Sequence, residues 1–134
     1  MQQPDKMKLI VLAEDDSDDQ DMVREIVNEI DQEVDLLIFS DGEQLLTSMK
    51  TLSASKRPGL IILDQNMPKL KGSETITHIK AICGFENIPL VIYTTYHDKV
   101  FAERCKQMNV ELFRKPDTFD AFTKMIGDLM KKYV

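Results

Sequence analysis

Glycine and proline are scarce in this chain, five of each among 134 residues, too few for a collagen-like or low-complexity sequence. Cysteine is scarcer. Cys83 and Cys105 are the only two, and they form neither a disulfide framework nor a metal-binding spacing, so both are read as reduced, partly buried thiols. No apolar run reaches the roughly 18 to 20 residues that a membrane span requires, and the start Met1-Gln2-Gln3-Pro4-Asp5 lacks the basic-then-apolar order of a signal peptide. A cytoplasmic protein without a membrane span is expected. Nucleotide cradles are missing too: the glycines, at 42, 59, 72, 84 and 127, fit neither GxxxxGK[ST] nor GxGxxG.

What is present describes an ordinary globular protein. Hydrophobic residues make up 43% and charged residues 30%, a balance that argues against disorder, and the length suffices for one core. The net charge of −6 opposes nonspecific attraction to a phosphate backbone, so no direct DNA partner is expected. The charge is also uneven, −9 over residues 1–66 and +3 over residues 67–134. Six of the eight residues from Glu14 to Asp21 are acidic, a run that ordinarily marks a solvated loop or a helix start.

Short apolar runs alternate with amphipathic stretches along the chain. Leu9–Ala13, Val34–Phe39, Gly59–Leu63 and Leu90–Thr94 are too short and too β-branched for helices and predict buried strands, with Val110–Phe113 a weaker fifth. Between them, Ser17 with Gln20 and Ser40 with Glu43 match the capping-box pattern. The helix after Ser17 carries Met22, Val23, Ile26, Val27 and Ile30, and the one after Ser40 carries Leu45, Leu46, Met49 and Leu52. A polar loop through Ser53, Ser55, Lys56 and Arg57 follows. Ser73 is expected to cap a third helix with Ile76, Ile79 and Ile82 on one face. Asp98 is expected to cap a fourth bearing Val100, Phe101 and Cys105, and Thr118 or Asp117 a fifth bearing Phe119, Phe122, Met125, Ile126 and Leu129. Five strands alternating with five helices predict an α/β, doubly wound fold. Its parallel sheet is covered on both faces, with the functional site beyond the carboxyl ends of the strands.

Those ends carry Glu14, Asp15 and Asp16, then Asp64, then Thr94 and Thr95, then Lys115. Carboxylates gathered without a counter-ion repel one another, and a divalent cation among them relieves that. Oxygen-only ligands select a hard ion, and a site with few carboxylates plus phosphoryl oxygens fits Mg²⁺. A carboxylate so placed can attack phosphorus, and Asp64 is the candidate. Lys115 and Thr94 would then stabilise phosphoryl oxygens by charge and hydrogen bond. Taken singly each residue has a plainer reading: Asp15 and Asp16 favour a helix N-terminus, Asp64 a turn, Lys115 the surface. Their joint fall at four strand ends tips the balance. His78 and His97 lack a partner at metal spacing and are read as surface or packing residues, and the methionines as core filling.

At these residues the chain resembles a response-regulator receiver domain of two-component signalling, of the single-domain, chemotaxis-regulator-like kind. The resemblance rests on Glu14-Asp15, on Asp64-Gln65-Asn66-Met67-Pro68-Lys69-Leu70-Lys71-Gly72 as D-x-x-M-P-x-x-x-G, on Thr94 and on Lys115-Pro116. It implies one receiver domain over residues 1–134 with its core at about 8–132, and a flavodoxin-like (βα)5 fold with strand order 2-1-3-4-5. It further implies Asp64 as phosphoacceptor, Asp15 as direct Mg²⁺ ligand, Glu14 as ligand through water, Asn66 as ligand through its backbone carbonyl, Thr94 as switch hydroxyl and Lys115 as phosphate-binding lysine. A cis peptide bond before Pro116 belongs to the same pattern. The implied partners are a sensor histidine kinase or histidine phosphotransfer protein, and a downstream target docking on the fourth helix, fifth strand and fifth helix. No effector domain fits in the remaining residues, so output would be in trans or on a longer parent chain.

Two positions depart from the family. Leu112 stands where a switch aromatic is usual, with Phe113 one place later, and Thr95 stands where a smaller residue is common, which would slow phosphoryl exchange. Two rival readings follow from the same residues. One is a Mg²⁺-dependent phosphatase working through an aspartyl phosphate, weakened because Asn66 occupies the place of a second acid. The other is a constitutive binding module that keeps the fold without being phosphorylated.

Overall fold

The computed structural model describes residues 8–51, 57–95 and 98–134. Leu52, the loop residues Ser53, Ser55 and Lys56, and His97 lie outside the described residues. Five strands, β1 (Lys8–Ala13), β2 (Val34–Phe39), β3 (Leu60–Asp64), β4 (Leu90–Thr94) and β5 (Glu111–Arg114), alternate with five helices, α1 (Ser17–Ile30), α2 (Gly42–Thr51), α3 (Gly72–Lys80), α4 (Lys99–Gln107) and α5 (Phe119–Tyr133). The strands form one parallel sheet in the order β2-β1-β3-β4-β5, the doubly wound topology expected from the alternation.

Residue alternation along each strand divides the core in two. Leu9, Val11, Ala13, Ile61, Leu63, Leu90 and Ile92 pack with α2, α3 and α4. Ile10, Leu12, Leu60, Ile62, Val91 and Tyr93 pack with α1 and α5. The inner strands are apolar on both faces because both faces are covered, and each such Ile or Leu contributes about 1.5–3 kcal/mol by leaving water. The free cysteines divide: Cys105 is buried on α4, Cys83 exposed. His78 is exposed, while Met49, Met67, Met125 and Met130 fill the core.

Several expectations shift. The cap of α1 is Asp16, whose Oδ1 accepts from Asp18 N at 2.8 Å and Asp19 N at 3.0 Å, so Ser17 is the first helical residue. Asp41 takes the role expected of Ser40 by accepting from Gln44 N at 2.8 Å. Ser73 lies inside α3, whose start at Lys71 is secured instead by Glu74 Oε1 accepting from Lys71 N. At each of these starts a carboxylate oxygen, not the neighbouring hydroxyl, accepts the amide hydrogen bond. Asp98 and Thr118 cap α4 and α5 as expected. Val100, Ile30 and Phe119, assigned to buried helix faces, are 73%, 44% and 41% exposed; each sits at a helix end, where the stripe runs past the sheet. No cis peptide bond occurs among the described residues, so the bond before Pro116 is trans. Leu112 pairs with Ile92 and faces α2–α4, whereas Phe113 pairs with Tyr93 and faces α1 and α5, so the two lie on opposite faces of the sheet.

The loop from Asp64 to α3 is held tightly. Gln65 Oε1 accepts from Ser73 N at 2.8 Å and Gln65 Nε2 donates to Ser73 Oγ at 3.2 Å. A Cβ on Gly72 would stand 2.7 Å from the Asp64 carbonyl oxygen and 2.8 Å from Ile92 Cδ1. Gly72→Ala is therefore expected to cost about 1–3 kcal/mol in urea denaturation, because overpacking against backbone outweighs alanine's helix propensity. Gly127→Ala in α5, where the nearest atom is Ile30 Cδ1 at 3.8 Å, should instead add up to about 1 kcal/mol. Equal effects would contradict the close approach at Gly72.

Candidate functional site

The strand ends converge because the ladders run one residue past the strands. Glu14 N donates to Phe39 O at 2.9 Å, Gln65 N to Tyr93 O at 2.9 Å, and Lys115 N to Thr94 O at 2.8 Å. Glu14, Asp64, Tyr93 and Lys115 thus fall on the sheet face that α1 and α5 cover.

Glu14 is fully buried, and its carboxylate has partners on both oxygens. Oε1 accepts from the Tyr93 hydroxyl at 2.5 Å and lies 3.1 Å from Lys115 Nζ; Oε2 accepts from Asp16 N at 3.0 Å. Asp64, 3% exposed, accepts from Asn66 N at 3.2 Å and lies 3.5 Å from Lys115 Nζ. Burial first, and then the charge of Glu14, push its carboxyl pKa up to about 7 against the pull of Lys115 and the Asn66 amide. Burial disfavours the Lys115 ammonium as well, but Asp19, Asp64 and Glu14 outweigh it and hold its pKa above the usual lysine value. Its Nζ lies 2.9 Å from Asp19 Oδ2 and 5.4 Å from the centre of the Tyr93 ring. Burial and the Glu14 charge raise the Tyr93 phenol.

Of the residues singled out in the sequence, Glu14, Asp15 and Asp64 come together, each offering a carboxylate oxygen within 4.8 Å of the others. Lys115 joins them. Thr94 is buried, with its Oγ1 3.5 Å from Asn66 Nδ2, and the exposed Asn66 bridges it to Asp64. The donor set is all oxygen and its carboxylates are crowded enough to raise Asp64, so these residues fit a hard divalent cation. Asp19 and Tyr93 were not singled out. Asp19 was read as part of a solvated acidic run, and Tyr93 as strand core. The available signal was positional: Tyr93 pairs with Asp64 across β3 and β4, which puts its ring on the same sheet face.

Residues 10–126 match the family model described as "Response regulator receiver domain". Response regulator Rcp1 of Synechocystis sp. is 32% identical over 125 residues, spanning 90% of this chain and 85% of that protein. Sporulation initiation phosphotransferase F of Bacillus subtilis is 30% identical over 123 residues, spanning 87% and 89%. The crystal structure of the Mn²⁺-bound form of Rcp1 superposes with a TM-score of 0.77 at 28% identity, covering 89% of this chain and 88% of that one.

A raised acid pKa sets the sign of a pH effect. Asp64's contribution to stability is fully present below the ordinary aspartate pKa and is lost as pH rises through about 7. Asp64→Asn is therefore expected to raise the thermal midpoint of chelator-treated protein most near pH 8, with the gain shrinking as pH falls and vanishing below about pH 4, where the carboxyl is protonated in the unfolded chain as well. A pH-independent difference would mean that Asp64 is not crowded by burial and Glu14.

Proposed function

The chain belongs to the response regulator receiver domain family, and on that footing we propose that it is a cytoplasmic phosphorylation switch, with Asp64 accepting a phosphoryl group from a sensor histidine kinase or a histidine phosphotransfer protein. The observation that carries this is the buried Asp64 carboxylate beside the Glu14 and Asp15 oxygens, with the Lys115 ammonium 3.5 Å away. In the transfer an Asp64 oxygen bonds phosphorus while the bond from phosphorus to the donor imidazole nitrogen breaks; the electron pair stays on that nitrogen, which takes up a proton. Mg²⁺, held by Asp15 and Asp64 directly, by Glu14 through water and by the Asn66 carbonyl, would neutralise charge on the phosphoryl oxygens. Lys115 supplies a point charge to a phosphoryl oxygen, and the Thr94 hydroxyl a hydrogen bond.

Residues 8–132 act as one receiver unit in this reading, and output is through protein docking on the face of α4, β5 and α5. Support comes from the exposed Val100 on α4 and Phe119 at the start of α5. The net charge of −6 disfavours direct DNA binding. A phosphatase is the lesser reading, because Asn66 stands where a second acid is needed and its amide is far too weakly acidic to transfer a proton. A constitutive module predicts no cation site.

Acetyl phosphate with Mg²⁺ is expected to label Asp64 with acid-labile phosphate, identified by mass spectrometry, and Asp64→Asn to abolish the label; undiminished labelling removes Asp64 from the role. Chelation should abolish it as well. A Mg²⁺ titration followed by NMR at Asp15 and Asp64 should saturate at millimolar metal, the range of a site with few protein ligands, and a flat titration would favour the inert module.

A further inference from the structure

The closest acid to the Lys115 ammonium is neither Asp64 nor Glu14. Asp19 Oδ2 lies 2.9 Å from Nζ, against 3.1 Å for Glu14 and 3.5 Å for Asp64. Asp19 stands in the first turn of α1, where its own N–H donates to the Asp16 cap. Its side chain is 21% exposed and that of Lys115 is 15%, so the pair is partly shielded from water. Asp19 takes no part in the group of carboxylate oxygens formed by Glu14, Asp15 and Asp64, and a cation bound there would not take over its charge.

An ammonium has three N–H donors, and Lys115 faces three carboxylates. Asp19 and Glu14, at 2.9 and 3.1 Å, are its near partners, and Asp64, at 3.5 Å, is the more distant one. A phosphoryl group on Asp64 brings new acceptor oxygens and more negative charge, and Lys115 moves toward them at the expense of its shorter contacts to Asp19 and Glu14. The Glu14 contact lies within the cleft itself. The Asp19 contact draws the ammonium toward α1 and, once broken, leaves a carboxylate near the new anion without its counter-charge.

We propose that Asp19 is a positioning residue that holds Lys115 in the unphosphorylated state and competes with the phosphoryl group for it, thereby limiting both the extent and the lifetime of phosphorylation. This rests on the reading of Asp64 as phosphoacceptor. It acts through Lys115 alone, so its signature is a gain when the charge is removed.

The test measures acid-labile phosphate on full-length protein at limiting acetyl phosphate and saturating Mg²⁺, the first-order loss of that phosphate, and the dissociation constant for beryllium trifluoride, which mimics a phosphoryl group. Asp19→Asn is expected to raise labelling, slow the loss and tighten beryllium trifluoride binding by about threefold each, the scale of a partly exposed ion pair. Asp19→Glu keeps the charge and should return toward wild type. Asp18→Asn removes the same charge one residue away, outside the Lys115 contact, and should leave all three readouts unchanged. A contact that merely supported the fold would lower labelling in Asp19→Asn, and that result, or no change, overturns the proposal while leaving the Asp64 reading intact. An equal gain in Asp18→Asn also overturns it, by showing a general charge effect. Wild-type protein that takes up no phosphate on Asp64 overturns the phosphoacceptor reading and this proposal with it.

Discussion

One ammonium surrounded by carboxylates is the interaction on which the rest of this structure turns. Glu14 is fully buried and Asp64 nearly so, and two anions in that setting would oppose folding if nothing answered them. Lys115 answers both, and the Tyr93 hydroxyl and the Asp16 amide donate hydrogen bonds to Glu14. The compensation is incomplete, as the raised Asp64 pKa records. A site left short of positive charge has a standing affinity for cations, and the cleft is chemically poised by that deficit rather than by any single residue.

The deficit could be built because the sheet keeps its two faces distinct. Alternation along β1, β3 and β4 sends one set of residues to α2–α4 and the other to α1 and α5. Glu14, Asp64, Tyr93 and Lys115 share the second parity, so their convergence is a geometric outcome of five parallel strands in register. Thr94 has the opposite parity and reaches the others through Asn66. A shift of one residue in any strand would turn its charged end away from the rest.

This explains what could be read from the chain and what could not. Continuous apolar runs made the strands legible, and the acidic pair, Asp64, Thr94 and Lys115 stood out because each follows such a run. Helix starts were misassigned by one residue where Asp and Ser adjoin, at Asp16 and Ser17 and again at Ser40 and Asp41, since both residue types suit a cap and only the fold decides which reaches the amides. Asp19 and Tyr93 were illegible for a different reason. Composition describes Asp19 as one acid in a run and Tyr93 as one apolar residue in a strand; their meaning comes from Lys115, which lies 96 and 22 positions away in the sequence and yet touches both. The same holds for Leu112 and Phe113, whose faces are fixed by pairing with Ile92 and Tyr93.

Tyr93 carries one further consequence. The chain has no tryptophan and three tyrosines, so its near-ultraviolet spectrum is tyrosine's. Tyr93 has its hydroxyl on the buried Glu14, the Lys115 ammonium over its ring, and the edge of Phe122 on α5 5.9 Å from its centre, whereas Tyr133 meets Glu111 and Lys132 away from the cleft. The protein thus contains a native chromophore at the floor of its cleft, and electrostatic events there are visible optically without a dye or an added label.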